Sequence, residues 1–208
     1  VNYAYENIHF PEAPEALDIA RRRLAFEELF FFAIGLKLLR SRRETVSVEP
    51  FQPVDMAPFY NALPFTLTDA QRRCVEEAIA DMQSGKPMNR LCQGDVGSGK
   101  TMVAAACVYF CVKNGRQAAL MAPTELLAEQ HYRGLAPLLE RLNIRCALLT
   151  GSTPAKTKRS ITAQLATGEI DFAIGTHALI SGGVAYADLG LVVTDEQQRF
   201  GVAQRTAL

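Results

Sequence analysis

The stretch GDVGSGKT, residues 94–101, decides how the rest of this chain is read. Before it, NRLCQ (89–93) is a short apolar run of the kind that forms a buried strand. After it, KTMVAAACVYFCVKN (100–114) reads as a helix ended by Gly115. A glycine-rich turn between strand and helix suits an anion. Gly94, Gly97 and Gly99 free the backbone so that amides around Ser98 can point into one hollow. The helix opening at Lys100 adds its positive dipole end. The full pattern G-x-x-x-x-G-K-T assigns the Lys100 ammonium to β- and γ-phosphates and the Thr101 hydroxyl to Mg²⁺. A nucleoside triphosphate is the expected ligand.

Working outward, strands and helices alternate. QAALMA (117–122), RCALLT (145–150), DFAIG (171–175) and LGLVVTD (189–195) read as strands. Helices are expected over 67–85, with Thr68 as N-cap, and over 124–142 and 154–168. Continuous apolar strands separated by amphipathic helices predict an α/β fold with a mostly parallel sheet covered on both faces. Right-handed crossovers gather the strand carboxyl ends on one edge, where open α/β sheets bind ligands. Asp195 and Glu196 end the last strand on that edge, so Asp195 is expected to hold Mg²⁺ and Glu196 to orient and deprotonate an attacking water.

Ahead of this region, PEAPEALDIARRRLAFEELFFFAIGLKLLRSRR (11–43) predicts a long helix with Leu17, Leu24, Ala25, Leu29, Phe32, Leu36 and Leu39 at helical spacing. Its basic end, Arg40, Arg42 and Arg43, reads as complementing the helix dipole, with a nucleic-acid contact as the alternative. Four prolines within 44–66 read as an extended connection. The expected division is a helical linker over 1–62 and a lobe over 63–208. With Val1 first and Leu208 just past the acidic pair, the chain reads as a piece of a longer protein.

Formal net charge is zero, which excludes binding of nucleic acid through overall charge and leaves only a local site. Five cysteines without a C-x-x-C pair fit a reducing, cytoplasmic compartment, with Cys107 and Cys111 as buried thiols. No apolar run reaches membrane-spanning length.

GDVGSGKT, APTELLAEQH (122–131), LLTGS (148–152), GTHALI (175–180) and DEQQRFG (195–201) resemble, in order and spacing, the motifs of superfamily 2 helicases. They look most like the RecG group, ATP-dependent DNA helicases that remodel stalled forks and branched recombination intermediates. IHFPEAPEALDIARRRLAFEEL (8–29) and LPFTLTDAQRR (63–73) extend the resemblance over nearly the whole chain. It implies a RecA-like motor lobe using ATP and Mg²⁺, with branched or forked DNA as partner and a second RecA-like lobe and a wedge domain in cis. Gln71, with Phe65, would read the adenine edge, although Thr68-x-x-Gln71 is also a capping-box pattern. Pro123, Thr124, Thr150, Gly151, Ser152, Gly175 and Thr176 would track DNA phosphates. His131 and His177 read as surface or structural residues. Gln198 stands where the group usually has histidine, which weakens any coupling role there. Two other readings remain open: a duplex translocase like the transcription-repair coupling factor, and a nucleotide-gated binding module.

Overall fold

The computed structural model describes residues 2–44, 47–181 and 183–196. It divides into two compact units, Val1–Val48 and Glu49–Leu208.

The first unit holds α1 (Asn2–His9) and α2 (Pro14–Glu44). Ala4, Asn7, Ala16 and Ala20 are its buried residues among those described. Asn7 is satisfied there, donating to Tyr3 O at 3.0 Å. The predicted long helix is present as α2, and of the apolar residues at helical spacing Leu29, Phe32 and Leu36 are exposed. An eight-residue α1 is too short to cover a 31-residue helix.

The second unit carries α3 (Ala57–Ala62), α4 (Asp69–Met82), α5 (Lys100–Lys113), β1 (Gln117–Met121), α6 (Glu125–Glu140), β2 (Cys146–Leu149), α7 (Ala155–Thr167), β3 (Phe172–Gly175) and β4 (Leu189–Thr194). The four strands form one parallel sheet in the order β2-β3-β1-β4. Position in the sheet explains each strand's composition. Central β1 is QAALM with every residue buried, while edge β2 alternates in burial along CALL. Helix α5 packs against β1 and β4 and also against α4, so it is apolar nearly all round, from Val103 to Cys111. Burial pushes the Cys107 and Cys111 thiols up to about 12.

Two segments depart from expectation. Residues 89–93 pair with no strand among the described residues. Leu91 is 73% exposed, and the Arg90 guanidinium is drawn to α4, bonding Asp81 at 2.7 Å and Glu77 at 2.5 Å. These ion pairs tie the segment to a helix rather than to the sheet. The proline-rich connection, for its part, is not simply extended. It folds as α3 with Phe59 fully buried, and Phe51 and Phe59 join the same core as Val108, Phe110 and Leu120. The break between units therefore falls at Val48–Glu49, ahead of the one expected at 62–63.

Candidate nucleotide site

Helix α5 is joined to β1 by the tight turn at 114–116, where Gly115 has φ +79°, and it runs back along β1 and β4. Its amino end therefore lies toward the edge where β1 and β4 terminate. That edge carries residues 94–101, and it also carries Asp195 and Glu196.

Gly99 is the N-cap of α5, left-handed at φ +79°, with no side chain capping the first turn. The uncapped N–H groups suit an anion. Gly97 is also left-handed, at φ +82°, but Gly94 is not, which differs from the equal role expected of the three glycines. Space is the constraint at Gly94, because a Cβ there would meet Ser98 Oγ at 2.8 Å. The Lys100 ammonium lies on the loop's own carbonyls, Gly94 O at 2.7 Å and Asp95 O at 2.8 Å.

Gln71 is engaged at both ends of its amide. Its Oε1 accepts from the Thr68 N–H at 2.9 Å, completing a capping box, and its Nε2 donates to Ser98 O at 2.8 Å. The bland capping role is thus present, together with a direct tie to the phosphate-type loop. Phe65 lines a separate hollow of about 420 Å³ with Tyr60, Leu63, Leu67 and Arg72.

Asp195 follows β4 and extends its ladder, donating from N–H to Met121 O at 2.9 Å. Its Oδ1 accepts from the Glu196 N–H at 3.0 Å, and its Oδ2 lies 2.8 Å from His131 Nε2. Glu196 has φ +48°, an uncommon conformation for a residue with a side chain. Gln198 lies outside the described residues. Thr101 and Asp195 offer one hydroxyl and one carboxylate, and the described residues hold no cluster of three or more His, Cys, Asp or Glu. Such a sparse set fits Mg²⁺, which keeps several waters and takes further oxygens from phosphates.

The residues expected to meet DNA separate into two groups. Thr124 is exposed and caps α6, accepting from the Leu127 N–H at 3.3 Å, and Gly151 and Ser152 are exposed on the next loop. Thr150, Gly175 and Thr176 turn inward instead. Thr150 is 4% exposed, its hydroxyl paired with Ser152 and Thr153. At Gly175 a Cβ would be driven into the Leu149 carbonyl, so glycine there serves strand packing. The exposed group beside it is His177. Glu125, which was not singled out from the sequence, accepts from the Ser152 N–H at 3.0 Å. The Ser152 hydroxyl is the main cause holding its carboxyl below the usual range.

His131, read from the sequence as a surface or structural residue, has a partner the sequence did not name, Asp195. A signal existed: Ala128 and Leu135, three residues before it and four after, are buried, so His131 shares their inward face of α6.

Residues 68–208 match the family model described as DEAD/DEAH box helicase. The chain belongs to that helicase family. Within it, the chain is 47% identical over 208 residues to the ATP-dependent DNA helicase RecG of Bacillus subtilis, covering 99% of this chain and 30% of that protein. To RecG of a Synechocystis species it is 48% identical, covering 99% and 25%. A solved structure of RecG bound to a three-way DNA junction superposes with TM-score 0.86 at 45% identity, covering 95% of this chain and 27% of that one. The chain thus spans under a third of the relatives it matches, and it has the fold of the corresponding RecG segment.

Proposed function

We propose that this chain is the first motor lobe of a RecG-type helicase, which hydrolyses ATP to move on branched or forked DNA. The observation that carries the proposal is topological: α5 packs on β1 and β4 and is joined to β1 by a tight turn, so its amino end and the carboxyl end of β4 share one end of the sheet. Alignment with RecG over nearly the full chain, upstream helices included, supports this over a coupling-factor type of translocase.

Each residue's part follows from its chemistry. The uncapped first turn of α5 and the amides of the loop receive the phosphates. Lys100 exchanges the loop carbonyls for phosphate oxygens and offsets their charge. Thr101 and Asp195 would hold magnesium, which when bound neutralises charge developing on the phosphates. Glu196 orients the attacking water in line with the γ-phosphorus and takes its proton. Phe65 and Gln71 would contact the adenine, Gln71 after releasing one of its present bonds. Thr124, Gly151 and Ser152 are exposed where a DNA backbone would run, and a DNA phosphate there would have to displace the Glu125 carboxylate from the Ser152 N–H. A second lobe in cis would complete the site, and a wedge domain would engage the branch. A cytoplasmic setting fits DNA as substrate, and no described helix is long and apolar enough to cross a membrane.

The test is a graft of this chain into Bacillus subtilis RecG in place of the segment it matches. The chimera is expected to hydrolyse ATP faster with a three-way junction than without DNA. Lys100→Ala and Glu196→Gln should each lower that rate at least a hundredfold, as removal of a transition-state contact does. Full turnover in either variant would sink the proposal.

A further inference from the structure

Asp195 is held at three points by the chain itself, two of them on its carboxylate. Its own N–H reaches Met121 O at 2.9 Å, Oδ1 takes the Glu196 N–H at 3.0 Å, and Oδ2 faces His131 at 2.8 Å. The first two are local to the sheet edge. The third crosses to α6, 64 residues away in sequence, and it is the side-chain contact among the three. An ionised carboxylate has no proton to give, so His131 Nε2–H is the donor. The imidazole is mostly enclosed, its side chain 15% exposed, while Asp195 keeps 35%, leaving the carboxylate open on its other side.

We infer that His131 is a positioning residue, fixing the Asp195 side chain so that it presents an oxygen to magnesium. This rests on Asp195 being the magnesium-side carboxylate. Carboxylate rotation about its last bond is broad and weakly restrained, so one amide on Oδ1 leaves the plane of the group free to swing. A second donor on Oδ2 removes that freedom before the metal arrives. Partners of this kind, bonded to a ligand rather than to the ion, commonly change metal affinity by 10–100-fold. His131 lies two turns along the helix whose first turn holds Thr124 and Glu125. The residue that steadies the metal side therefore belongs to the same rigid element as the rim proposed for DNA.

The test is equilibrium binding of a fluorescent ATP analogue to the purified chain, titrated with magnesium. His131→Leu, which fills space without a donor, should raise the half-saturating magnesium concentration roughly tenfold. His131→Asn, whose amide falls short of Oδ2, should do the same and serves alone if the leucine variant fails to fold. His131→Gln, which places a donor near the original Nε2, should restore most of the loss. In EDTA all variants should bind the analogue as the parent does. An unchanged magnesium requirement in His131→Asn would overturn the inference, as would equal weakening with and without magnesium. Lys100→Ala is run beside them. If it binds the analogue with parental affinity, the nucleotide site itself is misplaced, and the role of His131 falls with it.

Discussion

Gly99 is held by two constraints at once. Its φ is +79°, and a Cβ would collide with the Gln71 amide nitrogen that bonds Ser98 O. A side chain at such a φ costs about 1–2 kcal/mol, and displacing Gln71 would release the tie between α4 and the loop. Gly115 has the same φ but open space around it. Gly99→Ala should therefore weaken nucleotide binding by roughly tenfold. Gly115→Ala should lower the melting temperature but leave binding unchanged. Equal affinity in both variants, read by the same fluorescent analogue, would dissociate loop geometry from ligand capture.

At the scale of elements, the parallel sheet depends on how its strands are started. Asp171, just before β3, accepts from the Arg145 amide at 2.7 Å, from Nε at 2.9 Å and from a terminal guanidinium nitrogen at 2.7 Å, locking the entry of β2 to that of β3. Burial pushes the Asp171 carboxyl up, but the bonds from Arg145 outweigh it and hold it below the usual range. A folded-state value below the unfolded one contributes stability above the ordinary carboxylate pKa, and that stability disappears as pH falls through the lowered value. Asp171→Asn should thus destabilise the chain by about 1–3 kcal/mol in urea unfolding at neutral pH. The gap to the parent should close on acidification below the unfolded carboxylate range, near pH 4. A gap that stays constant into acid would assign the loss to packing instead. Gln117 does comparable work at the start of β1. Its amide bonds Leu165 O, Ile170 O and the Asp188 N–H, so a buried polar group is fully matched.

For the molecule as a whole, the division at Val48–Glu49 assigns Phe51 and Phe59 to the core of the second unit. A chain beginning at Glu49 loses the helical signal of α1 and α2 but should keep a cooperative thermal transition. One beginning at Leu63 loses both aromatics, and removing a single buried phenylalanine costs about 3–5 kcal/mol. That shorter chain should melt far earlier or fail to fold. Equal melting of the two would return the boundary to 62–63.

Local patterns were legible because their physics is local. GDVGSGKT states its own turn, Thr68 and Gln71 state a capping box, and the apolar runs 117–121 and 189–194 state a parallel sheet with an acidic pair at one edge. What the chain alone could not declare were relations between distant segments. The bond from His131 to Asp195, the inward turn of Thr150 and Thr176, and the capture of Arg90 by α4 each depend on which surfaces come together. Periodicity reports whether a residue faces inward, and motif spacing reports which loop it occupies. Neither reports what stands opposite, because that is settled only when the strands have taken their order and the helices have packed across them.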